Sequence, residues 1–134
     1  MKRDMDLVRE LLLRLEALPM RRGGVVTIPP DDEAIAVEGY GVDQIDYHLS
    51  QILRSGWIDE GGSRPREGIR FRCLTPAGHD FLDSVRDPET WSRTKKAAAG
   101  AGGFTLDLLK DLAKGLIRKQ IEDRTGVKIG RAHV

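Results

Sequence analysis

Three histidines and one cysteine, His48, His79, His133 and Cys73, are the side chains with the most evident capacity for chemistry. Metal sites draw such residues from short-spaced pairs on one loop or one helix face, and these four residues stand apart. Asp46, His48 and Ser50 hold the residue types of a nucleophilic triad. On neighbouring turns of a single helix, however, they cannot form the relay from carboxylate to imidazole to hydroxyl. The stretch "GAGG" at residues 100–103 lacks the preceding strand and the following Lys-Ser or Lys-Thr of a phosphate-cradling loop. The expectation is therefore a protein with no catalytic residues, no metal site and no cofactor. His48 and His79 are read as locally bonded or packed residues, Gly78 as a point of close helix–strand approach, and Cys73 as a small core residue.

The arginines offer a different chemistry. Between Gly61 and Arg72 stand Arg64, Arg66, Arg70 and Arg72 against Glu67 alone, a density suited to phosphate contacts. Between Val25 and Leu53 the balance reverses: Asp31, Asp32, Glu33, Glu38, Asp43 and Asp46 occur with no lysine or arginine. The net charge is only +1, so any pull on a polyanion comes from this uneven distribution.

The elements that hold these groups follow from periodicity. Met5, Val8, Leu11, Leu12, Leu15 and Leu18 lie three and four apart and predict a helix over residues 4–18, capped by Asp4 and stopped at Pro19. One of two short runs, Val25 to Ile28 or "AIAVEGY", is expected to form an edge strand. Ile45, His48 or Leu49, Ile52 and Leu53 predict a second helix from about Val42 to Ser55, ended by Gly56. Trp57 and Ile58 begin a strand, "EGGSRPREG" makes a turn, and "IRFRCL" alternates so that Ile69, Phe71 and Cys73 share the inner face. A hairpin with a basic, glycine-rich tip results.

Thr75-Pro76 and Asp87-Pro88 are cap-and-start signals for two further helices, the first turning Phe81, Leu82 and Val85 inward and the second running through Trp91. Lys95 to Gly103 is expected to begin helical and become a linker. Beyond it, Leu108, Leu109, Leu112, Leu116, Ile117 and Ile121 form the apolar face of a last helix, with Lys110, Lys114 and Arg118 opposite. The expected organisation is a domain over residues 1–99 and a linker with a C-terminal amphipathic helix over 100–134.

At 134 residues, with 40% hydrophobic and 32% charged residues, the chain suits one soluble domain with an appendage. Charges interrupt "MKRDMDLVRELLLRLEALP", so it does not read as a signal peptide, and no apolar run reaches the roughly 18 residues of a spanning helix. A cytoplasmic protein without membrane contact is expected. The single cysteine excludes an internal disulfide.

The order helix, strand, helix, strand, basic loop, strand is that of a winged helix. "GYGVDQIDYHLSQILRSGWID" resembles the Tyr-His-Leu segment of winged-helix regulators, and "LTPAGHDFLDSVRDPETWSRTK" is similar to the stretch that follows the wing in such families. With "MKRDMDLVRELLLRLE", these stretches resemble the domain-of-unknown-function family 2513 of bacteria and their phages over roughly residues 1–121. The resemblance implies a winged-helix-like fold, mainly α with a small β-hairpin, and no particular substrate. The first helix of the usual helix-turn-helix pair is expected to be missing or reduced to a turn near Asp31 to Ala34.

Within that frame, Gln44, Tyr47, Ser50, Gln51 and Arg54 on the second helix and Arg64, Arg66 and Arg70 on the wing are the expected contacts to double-stranded DNA. Asp43 and Asp46 would meet phosphate with like charge. Leu109, Leu112, Leu116 and Ile117 are the expected dimerisation residues of a homodimeric regulator. The other reading is an adaptor that keeps the fold without DNA and offers its acidic face to a basic protein partner.

Overall fold

The computed structural model describes residues 1–62, 65–100, 111, 115, 118–119 and 121–126. The chain divides into two compact units, Met1–Leu82 and Asp83–Val134. The fold is α+β: helix α1 (Met5–Glu16), strand β1 (Val26–Ile28), a short 3-10 turn (Glu33–Ile35), helix α2 (Val42–Arg54), strands β2 (Ile58–Asp59), β3 (Ile69–Phe71) and β4 (Cys73–Leu74), helix α3 (Pro76–Val85) and helix α4 (Pro88–Gly100).

In the first unit, the periodic apolar residues of α1 form the core as expected. Met5, Val8, Leu11, Leu12 and Leu15 are buried, joined by Leu7, which the stripe did not include, each contributing about 1.5–3 kcal/mol by leaving water, while Leu18 beyond the helix is half-buried. Asp4 caps the helix: its Oδ1 accepts from the backbone N–H of Asp6 at 2.9 Å and of Leu7 at 3.3 Å. Helix α1 packs against α2, β4 and the 3-10 turn. That turn is capped by Asp32, and its Ile35 is wholly buried.

Of the two runs considered for the edge strand, the first forms it. β1 pairs antiparallel with β3 (Val26 with Phe71, Thr27 with Arg70, Ile28 with Ile69), and β2 pairs antiparallel with β4 (Ile58 with Leu74, Asp59 with Cys73). β3 and β4 are successive parts of one run interrupted at Arg72. The Arg72 N–H donates to the Asp59 carbonyl at 2.9 Å while Asp59 also faces Cys73, so two residues oppose one, as in a β-bulge.

The bulge overturns one expectation. Simple alternation would bury Cys73 with Ile69 and Phe71, but the extra residue shifts the phase. Ile69, Phe71 and Leu74 are buried, and Arg72 and Cys73 are exposed.

Helix α2 ends in a Schellman motif, with the Gly56 N–H on the Leu53 carbonyl and the Trp57 N–H on that of Ile52. Trp57 then stacks on Phe81 with ring centroids 4.2 Å apart and planes at 19°. Thr75 caps α3, its Oγ1 accepting from the Gly78 N–H at 3.1 Å and donating to the Gly56 carbonyl at 2.6 Å. Gly78 is a close-approach position, since a Cβ there would collide with the Trp57 carbonyl.

In the second unit, Asp87 caps α4 by accepting from both the N–H and the hydroxyl of Thr90, at 2.8 and 2.9 Å. These bonds hold its carboxyl below the ordinary 3.8. Thr90, Trp91, Thr94 and Ala98 form the buried stripe of α4. The helix runs to Gly100, so the run from Lys95 begins helical as expected, its lysines and alanines favouring helix, while residues 101–103 lie outside the described residues. The described residues from 111 to 125 are helical, and Ile121 is 42% exposed. Leu109, Leu112, Leu116 and Ile117 lie outside the described residues. Among the described residues, no helix is long and apolar enough to cross a membrane.

Candidate nucleic-acid interface

Helix α2 presents two faces because its apolar residues fall on one. Ile45, His48, Leu49 and Ile52 are buried. Gln44 and Arg54 are exposed, and Tyr47, Ser50 and Gln51 are half-buried. Gln44, Tyr47, Gln51 and Arg54 are spaced by three, four and three residues, which lines them along one stripe with Ser50 beside it. The helix thus brings together all five residues expected from it. One is partly committed: the Gln44 Oε1 accepts from the Gly41 N–H at 3.0 Å, folding the side chain back on the helix start.

The orientation of this face depends on His48, which is 1% exposed. Its Nε2 accepts from the Asp4 N–H at 2.8 Å, and its Nδ1 lies 2.6 Å from the Gln44 carbonyl. A backbone N–H only donates and a carbonyl only accepts, so the Nδ1–H tautomer satisfies both bonds. Both nitrogens are committed to backbone groups, and His48 is a tie between helices. Tyr47 meets the His48 ring edge-on at 5.4 Å.

Tyr40 completes the tie by donating its hydroxyl to Asp4 Oδ2 at 2.7 Å. That bond, then burial and the charges of Asp4, Asp6 and Glu10, push its hydroxyl from 10.0 up to about 12. The folded state therefore holds the Tyr40 proton more tightly than the unfolded chain does. The stabilisation is fully present below pH 10.0 and is lost as pH rises through about 12. Tyrosinate absorbance through the alkaline range should show a late-ionising component from Tyr40. Tyr40→Phe should remove that component.

The wing is joined to α2 by a bond that neither segment signals alone. Asp46 Oδ1 accepts from the Gly68 N–H at 2.9 Å, across 22 residues of sequence. Asp46, read from sequence as an exposed charge that would repel phosphate, is instead half-buried and anchors the hairpin base. At the other arm, Asp59 Oδ1 accepts from the Gly61 N–H at 2.8 Å. The Asp46, His48 and Ser50 set therefore has its carboxylate on the hairpin and its imidazole on the backbone.

The arginines differ in setting. Arg66 is exposed, Arg70 is half-buried opposite Thr27, and Arg64 lies outside the described residues. Arg72 is exposed, with Nη1 3.7 Å from Asp59 Oδ2. A surface pair of this kind adds at most about 1 kcal/mol, so it is a weak restraint on the guanidinium. His79 lies 4.0 Å from Glu16 at the surface, away from α2's outer stripe in sequence and role. Among the described residues, no three His, Cys, Asp or Glu side chains are grouped to hold a metal ion.

These features define an α+β protein with the element order helix, strand, 3-10 turn, helix and hairpin, followed by two further helices. The chain belongs to the family described as hypothetical protein (DUF2513), whose sequence pattern matches residues 2–104. That span contains every element from α1 to α4 and the whole of the surface described above. An uncharacterised protein of Haemophilus influenzae is similar, being 28% identical over 124 residues that cover 90% of this chain and 99% of that one. No solved structure matches the chain.

Proposed function

We propose that this chain is a cytoplasmic DNA-binding regulator that lays the outer stripe of α2 against a duplex and its arginine-bearing hairpin against the phosphates. The observation that carries this reading is the bond from the Gly68 N–H to Asp46, which ties the base of the arginine-bearing hairpin to α2. Tyr47, Ser50, Gln51 and Arg54 supply the polar groups that read base edges, and Arg64, Arg66 and Arg70 supply the charge. The protein acts as a homodimer, so that two copies meet two half-sites.

A second reading has its own observation. Asp31, Glu33, Glu38 and Asp43 are all exposed in the segment leading into α2, a surface that fits a basic protein partner. An adaptor of that kind would keep the fold and bind no duplex.

Selection of duplexes from a random pool, followed by Gln51→Ala, tests the first reading. A good bidentate amide–adenine contact carries about 1–3 kcal/mol of discrimination, so the variant should lose roughly tenfold or more in preference for the selected site. Its affinity for unrelated duplex should stay unchanged. A pool that shows no enrichment on the wild-type protein favours the adaptor.

A further inference from the structure

The reading above places phosphate contacts on the wing, but a second basic element stands beside it. In the sequence "MRRGGVV", residues 20–26, Arg21 and Arg22 precede β1 and are both exposed. The Gly24 N–H donates to the Arg21 carbonyl at 2.8 Å, closing a four-residue turn. Gly23 has a φ of 75°, and among the described residues no non-glycine has a positive φ. Positive φ at the third position alone is the signature of a type II turn, so Arg22 occupies its second position and Arg21 its first.

Two anchors hold this turn in relation to the hairpin. Val25, the next residue, has its side chain against Gly61 at the start of the wing, so close that a Cβ on Gly61 would stand 2.9 Å from a Val25 methyl. Val26 then enters the sheet opposite Phe71. The ends of a β-turn lie within about 7 Å, so both arginines start within roughly 11 Å of the residue that touches the wing. No ion pair joins Arg21 or Arg22 to a carboxylate among the described residues. Two long cations on a tight turn, free of acidic partners, are suited to phosphate rather than to base edges.

We infer that the Arg21–Gly24 turn is a second phosphate-binding element, and that the phosphate-facing part of the DNA-binding surface consists of the hairpin and this turn together, beside α2. The inference rests on the DNA-binding reading and extends it to residues outside both α2 and the hairpin. Because the turn contributes charge alone, it adds affinity for any duplex and no sequence preference.

The test is the salt dependence of duplex affinity for the full chain, compared among wild type, Arg21→Ala/Arg22→Ala and Arg66→Ala, with thermal unfolding as the folding control. Each phosphate contact contributes about 0.9 to the slope of log K against log salt. The double variant should lose about 1.8 of that slope and bind selected and unrelated duplexes weaker by the same factor. Its unfolding temperature should match that of wild type. A double variant with the wild-type slope, while Arg66→Ala lowers it, overturns the inference and leaves the DNA-binding reading intact. A loss confined to selected duplex overturns it too, because that is base readout. Failure of the wild-type chain to bind any duplex removes the reading and the inference together.

Discussion

Reversing the charge of the wing, with Arg64→Glu, Arg66→Glu and Arg70→Glu combined, is expected to lower duplex affinity by roughly two orders of magnitude or more at about 0.1 M salt. Three lost phosphate contacts account for about 2.7 in the salt slope, and the new carboxylates add repulsion on the same surface. Fluorescence anisotropy of labelled duplex measures the effect. Arg70 is half-buried in the sheet, so Arg66→Glu alone, at an exposed position, is the companion that separates charge from folding. It should cost about tenfold in affinity and leave unfolding unchanged. Wild-type affinity in both variants would remove the wing from the interface. An adaptor would bind its partner equally well before and after the change.

The largest stability effect is expected from Gly68→Ala. Gly68 has a φ of 71°, and a Cβ there would collide with the Ile28 carbonyl oxygen and press on Pro29. The strain of a left-handed alanine is about 1–3 kcal/mol, and the collision with backbone raises the total to the upper end or beyond. Since domains of this size hold only about 5–15 kcal/mol, the shift in a urea unfolding midpoint will be large. Gly56→Ala is the control. Its φ of 74° is nearly the same and nothing lies within 4 Å of the added atom, so strain is its only new steric cost. It should cost about 1–2 kcal/mol. If the two variants are equally stable, the close packing of β1 on the hairpin base is wrong. Because the Gly68 N–H is also the donor to Asp46, this variant should weaken duplex binding as well as folding.

Much of this architecture was legible in the chain because helices announce themselves locally. The stripes in α1 and α2 and the inward residues Phe81, Leu82 and Val85 of α3 follow from spacing, and Thr75 and Asp87 cap the helices they precede. The hairpin was legible for a different reason, a glycine-rich turn composition followed by an alternating run, and its arms do pair. Periodicity describes one element at a time, and that is where it stopped. The Asp4–His48 and Asp46–Gly68 bonds join residues 44 and 22 positions apart, and no local pattern distinguishes a carboxylate that anchors a hairpin from one that repels phosphate. Tyr40 sat in a segment that resembled winged-helix regulators, yet its partner Asp4 was visible only as a helix cap.

The bulge at Arg72 escaped for a different reason. Alternation assumes one residue facing one, and a single extra residue inverts every side chain after it, which is how Cys73 moved from core to surface. The helical start of the low-complexity run from Lys95, by contrast, was legible because its lysines and alanines are helix formers. Of the expected interface, α2's five residues share one side of the helix, whereas the turn at Arg21–Gly24 was missed because its significance depends on contact with Gly61.

In the proposed function, α2 and the hairpin form one duplex-binding surface. Its most direct test is titration of a labelled duplex with the wild-type chain at two salt concentrations, with light scattering on the same samples. Binding is expected at low salt and should weaken steeply as salt rises, by about 0.9 in log–log slope for each phosphate engaged, from a protein scattering as a dimer. A folded protein that binds no duplex at low salt would contradict it.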